Sequence, residues 1–324
     1  MSRGSSWRGY AALVSAVLLL LAAVTLPTGA RAQQLPSRAQ DRVQLLQPHV
    51  GLRDDAESQA TGTDDTHAVA SPNDPDLGEQ AILRRSEHYR PFTISVAAPF
   101  SYTSNVALTS AGEEGDAIFT PAFVATYAPR ITRTLYANFS LGQQFFFYDR
   151  FSELNFGSFD ARAGLTYVLP QWHNLVLRAN YGFNRLTDDD FDQFFASHTI
   201  MLGAEMPFRI GRAQVITIGT ELDFLIATDP NPPGRNDFSG YVAYQVNMTR
   251  DLTLNAVGRL AVRDYVDVDR TDVSGIFSVG ASYRFNKWLS ANAGATFATS
   301  DSNQDVFDYN VFDVGGAVAL VFRF

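Results

Sequence analysis

The chain has 324 residues, a formal net charge of -9 and no cysteine. The missing thiols exclude a disulfide framework and thiolate metal sites. The acidic balance argues against nucleic acid as a partner. Lys287 is the sole lysine, so arginine supplies nearly all the positive charge, in a planar fork suited to paired carboxylates.

Residues 1–32 have the layout of a secretory signal. Arg3 and Arg8 precede an apolar run over residues 11–24, and Ala30-Arg31-Ala32 supplies a small-x-small cleavage pattern before Gln33. The run is shorter than the about 20 residues that span a bilayer as a helix, and its flanks are those of a cleaved leader rather than an anchor. Export with loss of residues 1–32 is the expectation. Removing the three arginines of that stretch takes the charge from -9 to about -12. No second long apolar run follows, so a membrane-embedded chain of this kind must cross as a closed barrel, the form that satisfies every backbone group in lipid.

Residues 33–90 are rich in Ser, Asp, Gln, Thr and Pro, as in Thr61-Gly62-Thr63-Asp64-Asp65 and Ser71-Pro72-Asn73-Asp74-Pro75. Such a stretch buries too little apolar surface to offset ordering, which predicts a mostly disordered periplasmic segment. Residues 76–85 could form a short helix at a barrel mouth or a partial plug, though composition favours a solvated linker.

From Pro91 to Phe324 the pattern changes to alternation broken by turns. Outward sets such as Phe92-Ile94-Val96-Ala98-Phe100 recur in about 12 segments, each near the 9–11 residues that a tilted strand needs to cross. Pro121 falls on an outward position and removes a ladder donor, which predicts a bulge. Short connections alternate with longer ones: Ala128-Pro129-Arg130 and Thr249-Arg250-Asp251 read as periplasmic turns, residues 229–237 and 264–272 as outer loops. Tyr127, Phe147, Tyr148, Tyr167, Tyr181 and Tyr283 are expected in aromatic girdles at the strand ends. A soluble β-sandwich is the bland alternative.

The last segment keeps an apolar or glycine residue at every second position from Phe312 to the terminal Phe324. That pattern resembles the C-terminal recognition signal of bacterial outer-membrane β-barrels, and residues 91–324 as a whole resemble those of the small-porin type. The resemblance implies an all-β, antiparallel, up-and-down transmembrane barrel. It also implies insertion by the barrel-assembly machinery, a Gram-negative outer membrane, and contact with its lipid and lipopolysaccharide.

Inward positions are polar, and charges lie among them: Asp160, Arg162, Arg178, Glu205, Glu221, Asp223, Arg259, Arg263, Arg284, Asp313 and Arg323. Either neighbours pair, as Arg178 with Glu205, and rigidify a filled lumen, or basic and acidic walls face each other across a wet channel. Small inward residues, including Gly142, Gly164, Gly219, Gly280 and Gly315, favour a narrow pore. The expected function is a porin-like channel for passive passage of small polar solutes, without a chemical step or cofactor. Alternatives are a non-conducting structural or adhesion barrel, a polysaccharide export conduit, or an outer-membrane lipase. The lipase reading is weak, because Ser197 and His198 are neighbours on one strand and point to opposite faces. In the acidic loops, Asp267-Val268-Asp269 begins like a calcium loop, but Thr271 and Asp272 break the pattern. Solvated loops are expected there, with no metal site.

Overall fold

The structure is a computed structural model that describes residues 28–46, with side chains from Pro36, and residues 89–324 apart from 212 and 232. The expected leader up to residue 27 and the candidate helix at 76–85 lie outside the described residues. One helix, α1 (Thr28–Leu46), precedes thirteen strands: β1 (Phe92–Thr103), β2 (Asp116–Phe119), β3 (Ala122–Tyr127), β4 (Leu135–Tyr148), β5 (Phe156–Leu169), β6 (Leu175–Thr187), β7 (Gln193–Arg209), β8 (Gln214–Asp229), β9 (Arg235–Asn247), β10 (Leu252–Tyr265), β11 (Thr271–Arg284), β12 (Leu289–Ser302) and β13 (Tyr309–Arg323). Each strand pairs antiparallel with its neighbours, and β13 returns to β1. Strands β2 and β3 share one place between β1 and β4, so the closed barrel has 12 positions.

Closure is a continuous ladder from Thr93 opposite Arg323 to Thr103 opposite Asp313. Side-chain alternation then sorts chemistry by face. On β1 the odd-numbered residues from Thr93 to Thr103 are buried, while Phe92, Val96, Phe100 and Tyr102 are exposed. The same alternation holds around the wall, leaving an outward belt that includes Phe123, Leu165, Leu202, Phe277 and Val318. Tyr127 stacks with Phe139 near the turn end, and Phe119 with Phe147 near the loop end. Tyr148 departs from the girdle expectation: its even position on β4 turns it inward, where it is buried. Tyr181 departs as well, lying at the middle of β6.

Pro121 interrupts the strand without a bulge. Phe119 opposes Phe100 and Ala122 opposes Ala97, so no residue is inserted across the gap. The ladder is spared because the Pro121 carbonyl still accepts from the Phe145 N–H at 3.0 Å; only the donor is lost. A register shift instead occurs opposite His198 and Thr199, where β8 carries an extra residue.

Residues 33–46, at the start of the segment expected to be mostly disordered, are helical. Helix α1 lies inside the barrel, at the end that carries the longer loops. Tyr89, at the start of the barrel segment, sits at the opposite end, donating to the Ala128 carbonyl and stacked beneath Arg130.

The β1–β13 seam is tight. A Cβ on Gly315 would stand 2.6 Å from both the Phe100 carbonyl oxygen and Ser101 Cβ, whereas Gly258, on the outward belt, has open space. Gly315→Val is expected to destabilise the folded barrel by about 1–3 kcal/mol. Gly258→Ala should be tolerated. Heat-modifiable electrophoretic mobility of the refolded proteins, followed through a urea series, checks both.

Candidate functional site in the lumen

The inward face divides into two layers. In the turn-end half the wall is largely polar and half-buried from β7 to β12, and buried around Ala97, Ala122 and Ala319 at the seam. Arg178 (β6) donates from Nη2 to Glu205 Oε1 (β7) at 2.6 Å, and Tyr241 (β9) donates to Glu205 Oε2 at 2.8 Å. Tyr241 reaches over β8 because Gly219 lies between them in the ladder; a Cβ on Gly219 would be 2.3 Å from the Tyr241 ring. Arg259 (β10) lies 3.6 Å from Glu221 (β8), and Arg162 lies 3.8 Å from Asp160 on β5. Neutral groups link the rest of the wall, as with Ser278 and Thr296 at 2.8 Å and Asn184 to Ser158 at 3.0 Å.

The loop-end half is filled. An apolar collar of Ile118, Phe146, Phe156, Leu186 and Phe195 points inward there, with the Phe146 and Phe156 rings stacked 4.1 Å apart. Ala39, Val43 and Leu46 of α1 pack on this collar, at the i, i+4, i+7 spacing of one helix face. Leu45 packs on the other side against Leu108, Ile276, Tyr309 and Val311. Full burial of a Val or Leu side chain is worth roughly 1.5–3 kcal/mol, so this packing alone holds the helix firmly.

The remaining face of α1 is charged. Arg42 is 1 % exposed and Asp313 wholly buried; they lie 3.2 Å apart. Arg42 also donates to Thr103 Oγ1 at 3.0 Å and to the carbonyls of Asn105 and Val106 at 2.7 and 3.1 Å. Asp41 accepts from Arg235 at 2.8 Å and from the Tyr309 hydroxyl at 3.3 Å, with Arg263 3.4 Å away. Gln44 accepts from Arg263 at 3.0 Å and donates to Asp237 at 2.9 Å. Between α1 and the β5–β10 wall a cavity of about 130 Å³ remains, bordered by Gln40, Gln44, Arg162, Glu221 and Arg259 among others.

Among the residues singled out from sequence, Arg178 meets Glu205 as expected of neighbours, Arg259 meets Glu221, and Asp223 lines the same cavity. Arg263 and Asp313 instead meet partners on α1. Arg284 stands at the turn-end rim, 3.6 Å from the exposed Asp251, and Arg323 opposite Thr93. The charges pair along the wall and with the helix rather than forming separate basic and acidic walls. Part of the space expected beside glycines is taken by neighbouring side chains, Tyr241 at Gly219 and Asn255 at Gly280.

Several residues of this layer escape sequence reasoning. Asp41, Arg42 and Gln44 lie in a stretch whose composition reads as solvated. Arg235, Asp237 and Asp272 fall in stretches read as acidic outer loops, yet all are buried; Asp272 accepts from Arg270 at 2.9 Å. The usable signal was parity: Phe146, Leu186, Phe195, Ile276 and Val311 are apolar at inward positions near one end, and such a collar needs a partner.

His198 pairs with the Tyr181 hydroxyl at 2.5 Å on the outward face, while Ser197 borders the lumen cavity, so the two do face opposite sides. Among the described residues, no three His, Asp or Glu come together as metal ligands.

No protein-family model matches the sequence, and no curated protein matches it. Among solved structures, an outer-membrane channel from Pseudomonas putida F1 superposes with a TM-score of 0.52 at 11% identity, covering 72% of this chain and 96% of that one. The chain has the fold of an outer-membrane β-barrel. A KdgM porin gives 0.39 at 8% identity, covering 69% of this chain and 97% of that one. The translocator domain of the autotransporter NalP from Neisseria meningitidis gives 0.42 at 12% identity, covering 74% and 90%.

Breaking a buried ion pair from one side leaves a charge without compensation, at about 3–5 kcal/mol. Arg42→Ala is therefore expected to loosen α1 and raise its protease sensitivity in the refolded barrel. Adding Asp313→Asn should restore part of the loss, since the stranded carboxylate is then gone. Cleavage rates within residues 33–46 for the single and double variants measure this.

Proposed function

We propose that this protein is an outer-membrane channel for small hydrophilic solutes, and that the conformation described is its closed state, with α1 stopping the loop-end half of the lumen. The observation that carries the reading is the lumen wall. It stays polar and ionised along strands whose other face is apolar, and from β7 to β12 its turn-end half is largely half-buried. The likeness of the fold to an outer-membrane channel supports the same reading. Export through loss of residues 1–32, insertion by the barrel-assembly machinery and loops turned towards lipopolysaccharide belong to this proposal. The described lumen contacts of α1 lie between Pro36 and Leu46, so cleavage after Ala32 would leave those residues in the chain.

In the open state Arg162, Arg178, Glu205, Glu221, Asp223 and Arg259 would line the path and orient dipolar solutes. The reading assigns no chemical step. Its main competitor is a non-conducting structural barrel, favoured by the apolar burial of Val43, Leu45 and Leu46.

Planar-bilayer recording separates the two. Full-length protein is expected to open rarely, and protein lacking residues 33–46 to show a conductance several-fold larger. Silence of both forms at all voltages would establish the structural barrel instead. In the open form Arg178→Glu with Arg259→Glu should shift reversal potentials under a salt gradient towards cations. Unchanged selectivity would remove these arginines from the path.

A further inference from the structure

The strands themselves build the place where Asp41 sits. Arg235 opposes Tyr265, and Asp237 opposes Arg263, in the β9–β10 ladder. Two arginines and a tyrosine hydroxyl thus stand side by side on the wall whether or not the helix is present. Tyr309 joins them from the start of β13. The Asp41 side chain is 3 % exposed and its two oxygens are divided between Arg235 Nη1 and the Tyr309 hydroxyl. Tyr265 accepts from the same Arg235 nitrogen at 3.1 Å.

This seat has more donors than the helix uses. Arg235 Nη2 and Arg263 Nε are buried with no hydrogen-bond partner among the described residues, while Arg235 Nε and Arg263 Nη1 lie 3.1 Å from Asp237 and 3.4 Å from Asp41 without hydrogen-bond geometry. Both arginine side chains are at most 3 % exposed. Without Asp41, Arg235 would keep Asp237, 3.1 Å away, and Arg263 would keep Asp237 and Asp272 opposite it in its two ladders, Asp272 being already paired with Arg270. Loss of the Asp41 carboxylate leaves the cluster with an excess of positive charge, which attracts an anion to the vacated seat. Arg235 and Asp237 also border the lumen cavity, which gives a solute a route to the seat.

We propose that the wall site formed by Arg235, Arg263 and Tyr309 is a carboxylate-binding site for acidic solutes, and that Asp41 occupies it as an internal stand-in. The proposal rests on the channel reading for its physiological sense, but the site can be tested without conduction. A planar two-oxygen group fits a guanidinium fork and a hydroxyl donor. A carboxylate that binds only after the helix has left draws the equilibrium towards the open lumen. The solute would thereby release its own barrier.

The test uses full-length refolded protein in detergent, with succinate as probe, inorganic phosphate and neutral succinamide as comparisons, and calorimetry as readout. Asp41→Asn should bind succinate at least tenfold more tightly than the unaltered protein, because its competitor is weakened. Combining it with Arg263→Gln should abolish the gain, and so should Arg235→Lys, which keeps the charge but loses the fork. Heat-modifiable mobility shows which variants fold. Independently of any variant, succinate should increase protease cleavage within residues 33–46 several-fold, and succinamide should not. No gain in Asp41→Asn, a gain that survives Arg263→Gln, or equal effects of succinate and phosphate would overturn the carboxylate site. Succinate binding by a protein that never conducts would leave the site standing and sink the channel.

Discussion

The barrel depends on the pairing of its first and last strands. An open sheet of this length would present two rows of unpaired N–H and C=O groups, which lipid cannot satisfy and which invite aggregation. The continuous β1–β13 ladder removes both edges. Once the ring is closed, alternation leaves no freedom: one face of every strand meets the outside and the other must meet the lumen. The contents of the lumen are therefore set by whatever stands at alternate positions.

What stands there is not uniform. Near the turn end the inward positions carry hydroxyls, amides and ion pairs that hold each other along the wall, and near the loop end they carry an apolar collar. A collar of Phe146, Phe156, Leu186 and Phe195 cannot face water across a wide lumen without cost, and α1 covers it. The helix matches both neighbours, presenting Ala39, Val43 and Leu46 to the collar and Asp41, Arg42 and Gln44 to charged strands. Such two-sided fit explains why a helix with so little apolar surface of its own is ordered at all.

The strands and the faces of their side chains were legible in the sequence, because period-two alternation survives even where segments are short and Pro121 interrupts one of them. The Arg178–Glu205 pair was legible for the same reason, as opposite charges on adjoining inward positions. The helix was not. Its charged residues satisfy partners 60 to 270 positions away, such as Thr103 and Asp313 for Arg42, and composition alone reads such residues as solvated. Tyr148 was misplaced for a smaller reason: aromatic character was weighed above its even position on β4. Asp237 and Asp272 were hidden at the ends of stretches that read as loops, since nothing local separates a buried ion pair from an exposed one.

The ends of the connecting stretch carry a last consequence. Leu46 lies at the loop end and Tyr89 at the turn end, 43 residue steps apart in the chain. Fully extended, that many residues reach roughly 140 Å, several times the height of a membrane-spanning strand. Chain length alone therefore allows the helix to leave the lumen and remain attached. A tethered ligand faces its site at an effective concentration that falls as the leash lengthens. On the proposed carboxylate site, the number of residues that join α1 to β1 would therefore set the abundance an outside competitor must reach.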